Sequence, residues 1–218
     1  EKKRSGWDKE LVRFKGEKTK IEKEIKEQGG EALAKLDSQI KDLQSKTKLS
    51  AKRPEFGYHS KIEKSSDKVK WVQVDLGERV DIKKIVLHAC HDDYNGIGAG
   101  FGFPVGFKVI ASNRADFSRS QVLVDESGRD FANPGLVPIE HGVQSSARYI
   151  RVKATKLAPR SNDYIFALAE LEVHDGNGKN RALKAKVSSI DSIEAPNRWR
   201  RTNLTDGIWA QGPDKAST

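Results

Sequence analysis

Apolar residues recur along this chain with two different periods. Over residues 7–28, Trp7, Leu11, Phe14, Ile21 and Ile25 fall at helical spacing, with Lys18 interrupting the stripe. That spacing places them on one face of an amphipathic helix. Gly29 and Gly30 break the pattern, and Leu33, Leu36, Ile40 and Leu43 resume it. Two such stretches joined by Gly-Gly predict an N-terminal α-helical hairpin, coiled-coil-like, over residues 1–53. Its apolar stripe is narrow and needs a partner, either the other helix or another domain. After residue 54 the period drops to two. In residues 71–77, Val72, Val74 and Leu76 face one way while Gln73 and Asp75 face the other, as in a half-buried strand. Residues 80–88 are richer in apolar side chains and read as a second, more deeply buried strand. Strands are also predicted over 107–112, 149–154 and 166–173, with Gly, Pro, Asn and Asp in the gaps. Short strands separated by turn signals, with no helix between them, predict a mainly β domain, an antiparallel β-sandwich, over residues 54–176. Residues 182–189 alternate once more, and a loop-rich stretch follows, ending in Leu204-Thr-Asp-Gly207.

Composition narrows the function classes. The hydrophobic share is 36% and the charged share 33%, which fits a compact core joined to a very polar extension. The first residue is Glu and there is no apolar leader, so the chain reads as a piece of a longer protein. No stretch approaches the roughly 20 apolar residues of a membrane span. The single Cys90 excludes an internal disulfide framework, a four-cysteine zinc site and a C-x-x-C-H haem site; in an apolar strand it reads as a small buried hydrophobe. The net charge of +9 favours polyanions, but much of it lies in the alternating Lys and Glu of the first 53 residues, where it reads as a solvated helical face. No nucleic-acid partner is expected.

The strand set resembles a known family. Residues 70–77 (Lys-Trp-Val-Gln-Val-Asp-Leu-Gly) followed by 80–87 (Val-Asp-Ile-Lys-Lys-Ile-Val-Leu), then 102–109, 147–152 and 168–173, are similar in order and spacing to the strands of the discoidin family, the coagulation factor V/VIII type C domain. The resemblance covers roughly half the chain. It implies the jelly-roll, galactose-binding-like fold shared with carbohydrate-binding modules. One departure is informative. The family opens with an Ala-Leu strand, a serine-rich turn and a Leu-x-Asp-Gly loop. Here matching residues stand at the end, in 180–189 and in Leu204-Thr-Asp-Gly207. Two readings follow: residues 177–218 complete the same sandwich as a circular permutation, or they begin a second, truncated copy. The first is favoured, because a half-domain would expose a sheet edge.

The resemblance also implies a structural calcium, with Asp206 of the Asp-Gly loop and Glu170 of the last strand among its ligands. Calcium seeks six to eight oxygens, and two carboxylates in one loop repel without a cation. Otherwise Glu170 reads as a solvated strand residue and Asp206 as a turn residue. Residues 88–103 leave a buried strand and become a glycine-rich loop with aromatics, and loops at one end of a sandwich are where such modules bind. His91, Asp92, Asp93 and Asn95 are candidates for sugar hydroxyls, with Tyr94 or Phe101 stacking on a sugar face; the alternative is a loop that simply packs its aromatics on the sandwich. The glycines lack the Lys-Ser/Thr of a phosphate loop and the strand-to-helix unit around a dinucleotide loop. In the loop before the last strand, Arg160, Asn162, Asp163 and Tyr164 suit a sugar or an acidic group, or form a turn that caps its own backbone. Residues 198–201 (Arg-Trp-Arg-Arg) offer either a site for an anionic polymer or a Trp that docks the C-terminal segment.

The expected function is a non-catalytic carbohydrate-binding module holding a polysaccharide or glycan, acidic ones included. The resemblance places it in a larger bacterial extracytoplasmic protein whose other domains are partners. The alternative is a protein-interaction or scaffolding module. No nucleophile–base pair or convergent acid–base carboxylates stand out at a spacing that would support an enzyme.

Overall fold

The computed structural model describes residues 13, 14, 16–21, 30, 35, 38, 39, 53, 55–195 and 197–211. The chain divides into two compact units, Glu1–Ser50 and Ala51–Thr218. In the first, the described residues are helical, and Arg13 pairs with Glu17 one turn on, at 3.6 Å. The remainder of the expected hairpin lies outside the described residues. Among those described, no helix is long and apolar enough to cross a membrane.

The second unit is an antiparallel β-sandwich organised on one long strand. The short β1 (Tyr58–His59) precedes β2 (Lys70–His88). A hairpin of β3 (Cys90–Asp92) and β4 (Gly98–Phe101) leads to β5 (Gly106–Ser112), β6 (Ser120–Glu126) and β7 (Ile139–Lys156). Then come β8 (Ala158–Pro159), β9 (Tyr164–Ile165), β10 (Ala167–Leu168), β11 (Glu170–Asp175) and β12 (Lys186–Ser189). The main sheet runs β11-β2-β7-β5-β6, with β12 also paired to β2. Along one edge β2 pairs with β7; along the other its first half holds β12 and its second half holds β11.

Residues 71–77 and 80–88 are halves of one strand rather than two strands. Asp75 faces Tyr149 but Val80 faces Ala147, so the residues between them bulge out, with Gly77 at φ 82° absorbing the bend. A second register shift falls between Ile82 and Lys84. It flips the buried parity: Val72, Val74 and Ile82 point inward before it, Ile85 and Leu87 after it. The bent strand therefore feeds both halves into one core, where these residues meet Phe107, Val109, Ile150, Val152, Leu171 and Val173. Each such fully buried side chain contributes about 1.5–3 kcal/mol.

Other boundaries moved as well. β7 begins ten residues before the predicted 149–154 strand, because β2's second half offers a ladder that the weakly patterned residues 139–148 can fill. The edge strand β6 has only Val124 buried and left no clear alternation to read. The predicted 166–173 strand divides at Ala169 into β10 and β11, and residues 182–185 precede β12 as a turn.

The C-terminal segment lies on the sandwich. The Ile193 and Arg200 amides donate to the His59 and Gly57 carbonyls, both at 3.1 Å. Leu204 is fully buried in the main core. The Lys70 side chain, 5% exposed, is held between the carboxylates of Glu63 and Asp191, and Asp191 also accepts from the Lys61 amide at 2.8 Å.

Candidate functional site

Where β2 ends, the chain turns through the β3–β4 hairpin. Cys90 is buried there. Gly96, Gly98, Gly100 and Gly102 all have positive φ. Gly100 shows why: a Cβ there would stand 1.6 Å from Asn133 Oδ1. The glycine run thus serves a left-handed backbone and a close approach.

This hairpin forms one wall of an open cleft of about 480 Å³ lined by Arg53, Glu55, Phe56, His91, Asp92, Asp93 and Arg198. Three stretches of sequence meet in it. The His91 amide donates to the Glu55 carbonyl at 2.8 Å, tying β3 to the segment before β1. Arg198 of the C-terminal segment pairs with Asp92 at 2.7 Å and lies over the Phe56 ring, 4.5 Å from its centroid. Arg53 pairs with Glu55 at 2.8 Å. The hydrogen bond from Arg53 holds the Glu55 carboxyl below the usual range, against the opposing effect of burial. His91 Nε2 lies 3.0 Å from Asp93 Oδ1.

Beneath the cleft is an aromatic cluster. Trp199, 5% exposed, lies 5.0 Å from Phe56, 4.9 Å from His59 and 5.7 Å from Phe101 between ring centroids. Burial pushes the His59 pKa down to about 4, so this ring is neutral at neutral pH. Its Nδ1 then donates to the Ser60 carbonyl at 2.6 Å. Of the two roles weighed for Trp199, the packing supports the docking of the C-terminal segment.

His91, Asp92 and Asp93 thus line one cleft. Tyr94 is half exposed and carries the Arg160 guanidinium over its ring at 4.7 Å, joining the two predicted loops. Arg160 in turn forks onto Asp163 at 2.9 and 2.7 Å. Asn95 is exposed in a left-handed turn at φ 52°, and Asn162 is exposed. Tyr164 sits in β9, half-buried and bridged to Glu63. Phe101 needs correction as a stacking residue: it is 2% exposed, spent on Trp199, and presents no face to a ligand. Arg53, Glu55 and Phe56 escaped the sequence reading. Their signal was a charged pair flanking a proline just before the first strand.

Glu170 opens β11 fully buried, and its Oε1 accepts from the Gly207 amide at 3.1 Å. The Asp206 loop therefore lies against it, with Asp206 Oδ1 accepting from the Ile208 amide at 3.0 Å. Among the described residues no group of three or more His, Cys, Asp or Glu side chains could hold a metal. A calcium here would draw most of its oxygens from carbonyls.

No family model matches the chain, and no curated protein matches it. Among solved structures it is similar to the family 32 carbohydrate-binding module of Clostridium perfringens NanJ in complex with galactose (16% identity, TM-score 0.40, covering 53% of this chain and 73% of that one). It is also similar to chitosan-binding module 1 from a chitosanase/glucanase of Paenibacillus sp. IK-5 (17% identity, TM-score 0.38, 51% and 73%). A third is a family 32 module from a family 31 glycoside hydrolase of C. perfringens (16% identity, TM-score 0.40, 57% and 85%). These likenesses assign no ligand and no residue to this chain.

Proposed function

We propose that this chain is a non-catalytic glycan-binding module of an extracytoplasmic protein, and that the cleft between β3, the segment before β1 and Arg198 receives the sugar. The observation that carries this reading is the pre-set polar lining of the cleft. Arg198 and Asp92 fix each other, Arg53 and Glu55 fix each other, and both pairs line one concavity together with the Phe56 ring. Sugar hydroxyls, each both donor and acceptor, suit such alternating charged groups. Half-exposed Tyr94, clamped by Arg160, extends the rim with an aromatic ring.

A glycan array followed by titration calorimetry tests the reading. Arg198→Gln and Asp92→Asn each remove a charge-assisted contact of about 1.5–3 kcal/mol, so affinity for the glycan found should fall tenfold or more. Failure of every neutral and acidic glycan to bind, with or without calcium, would remove the proposal, as would variants that bind like the parent.

For calcium we propose Glu170 and Asp206 as the carboxylate ligands, supported by the contact between the Asp-Gly loop and Glu170. Excess calcium at a hundred times its Kd should stabilise the fold by about 2.7 kcal/mol. A chelator should reverse the rise in melting temperature, and Glu170→Gln should remove it. An unchanged melting temperature under saturating calcium argues the cation away. We also propose that the sandwich is a circular permutation of the discoidin arrangement, a reading supported by the pairing of β12 with β2 in the same chain.

A further inference from the structure

The outward face of the main sheet, away from the cleft, is built of rings and cations. On β2 the outward residues are Trp71, Gln73 and Asp75; on β7 they are Tyr149, Arg151 and Lys153, and the two sets face each other across the ladder. Arg151 is the centre. Its guanidinium lies 4.2 Å from the Trp71 ring centroid and 3.9 Å from that of Phe117, clamped between them. Its Nε and Nη2 both donate to Gln73 Oε1, at 2.9 and 2.5 Å. That oxygen is neutral. Among the described residues no carboxylate pairs with Arg151 or with Lys153, whereas neighbouring Arg148 forks onto Asp75 at 2.7 and 2.8 Å and Lys108 reaches Asp125 at 2.7 Å.

Phe117 adds an independent sign of design. It holds φ 59°, a conformation that bulky side chains rarely adopt. The turn is pinned around it: Asp116 takes both the Arg114 guanidinium and the Ser118 amide, each at 3.0 Å. Strain of this kind persists where the surroundings over-determine it and concentrates at functional positions. Here it sets an aromatic face on Arg151.

We propose that this face is a second ligand site, separate from the loop cleft, in which Arg151 takes the carboxylate or sulfate oxygens of an acidic polysaccharide. A guanidinium with its plane fixed by two rings and its remaining N–H groups unspent is a pre-organised oxyanion receptor. Lys153 lies two residues along the same strand, about 7 Å away, and offers a second cation for the next acidic group of a polymer. Single-stranded nucleic acid is disfavoured because bases stack on open aromatic faces, and both rings spend a face on Arg151.

Affinity electrophoresis of the full chain at 150 mM salt, in gels containing polygalacturonate, dextran sulfate, neutral dextran or poly(dT), tests this. Retardation by an acidic polysaccharide but not by neutral dextran is expected. Arg151→Gln should weaken it about tenfold. Arg151→Lys should weaken it too, because lysine keeps the charge but loses the fork and the stack. Exposed-face Lys153→Gln should cost about threefold and carries the test if Arg151 variants do not fold. Lys179→Gln, which removes an exposed cation in the turn after β11, outside both this face and the cleft, should leave it unchanged and so separates the site from bulk charge. No retardation by either acidic polysaccharide, equal retardation by poly(dT), or parental affinity in Lys153→Gln or in a folded Arg151→Gln would each overturn the proposal.

Discussion

Replacing Trp199 by alanine should lower the unfolding free energy by about 3 kcal/mol, the lower end of what truncating a buried aromatic costs. The ring is 5% exposed and touches Phe56, His59 and Phe101. Removing it opens a cavity between the sandwich and its C-terminal segment. The same change should loosen the cleft, since Phe56 loses a wall and Arg198 is the adjacent residue. Denaturant unfolding gives the first quantity. Limited proteolysis, with cleavage appearing between residues 190 and 210, gives the second. A loss under about 1 kcal/mol would mean that the segment is held by other contacts.

Lys70→Met should cost about 2–3 kcal/mol. Removing one member of a buried charge set leaves the others uncompensated, at 3–5 kcal/mol for fully buried groups; Asp191 is 15% and Glu63 29% exposed, which reduces the figure. The pH dependence has a definite sign. Burial alone would lower the Lys70 pKa, but its hydrogen bonds to Asp191 and Glu63 outweigh that and raise it above the ordinary 10.5. A raised lysine pKa gives stability that is complete through the neutral range and fades only as pH climbs through that raised value. The gap between parent and variant should be flat from about pH 6 to 9 and close only in strong alkali. A gap that closes below pH 9 would contradict the assignment. Because Asp191 and Trp199 belong to the same docked segment, the two substitutions together should cost less than their sum.

How far the sequence carried the reading differs by element. Residues 71–76 were legible because alternation is strict where one sheet face is buried, and Val72, Val74 and Leu76 are inside as expected. β7's first half was not, because Glu140, Gly142 and Ser146 reflect a ladder supplied by β2 rather than any local pattern. His91, Asp92 and Asp93 were legible as a polar cluster at a strand end. Arg53, Glu55 and Arg198 were far harder to place, since they reach the same cleft from opposite ends of the domain and only tertiary packing brings them together. Phe101 misled because an aromatic beside loop glycines looks exposed; its environment is set by Trp199, far along the chain. The Arg151 clamp was invisible for a similar reason: nothing in the order of residues announces that Phe117 will take a left-handed conformation.

The bent spine β2 has a consequence for how this domain is made. Its first half stays without its outer neighbour until residues 186–189 are available, because β12 fills that edge from the far end of the sequence. During synthesis most of the sheet would therefore precede the segment that shields it, and the bare flank of β2 would invite pairing with another chain. Refolding should be slow for a domain of this size, since its decisive pairings are among the most distant in sequence. A shortened chain ending before Lys186 would keep that flank open for good and accumulate as aggregate rather than as a smaller folded domain.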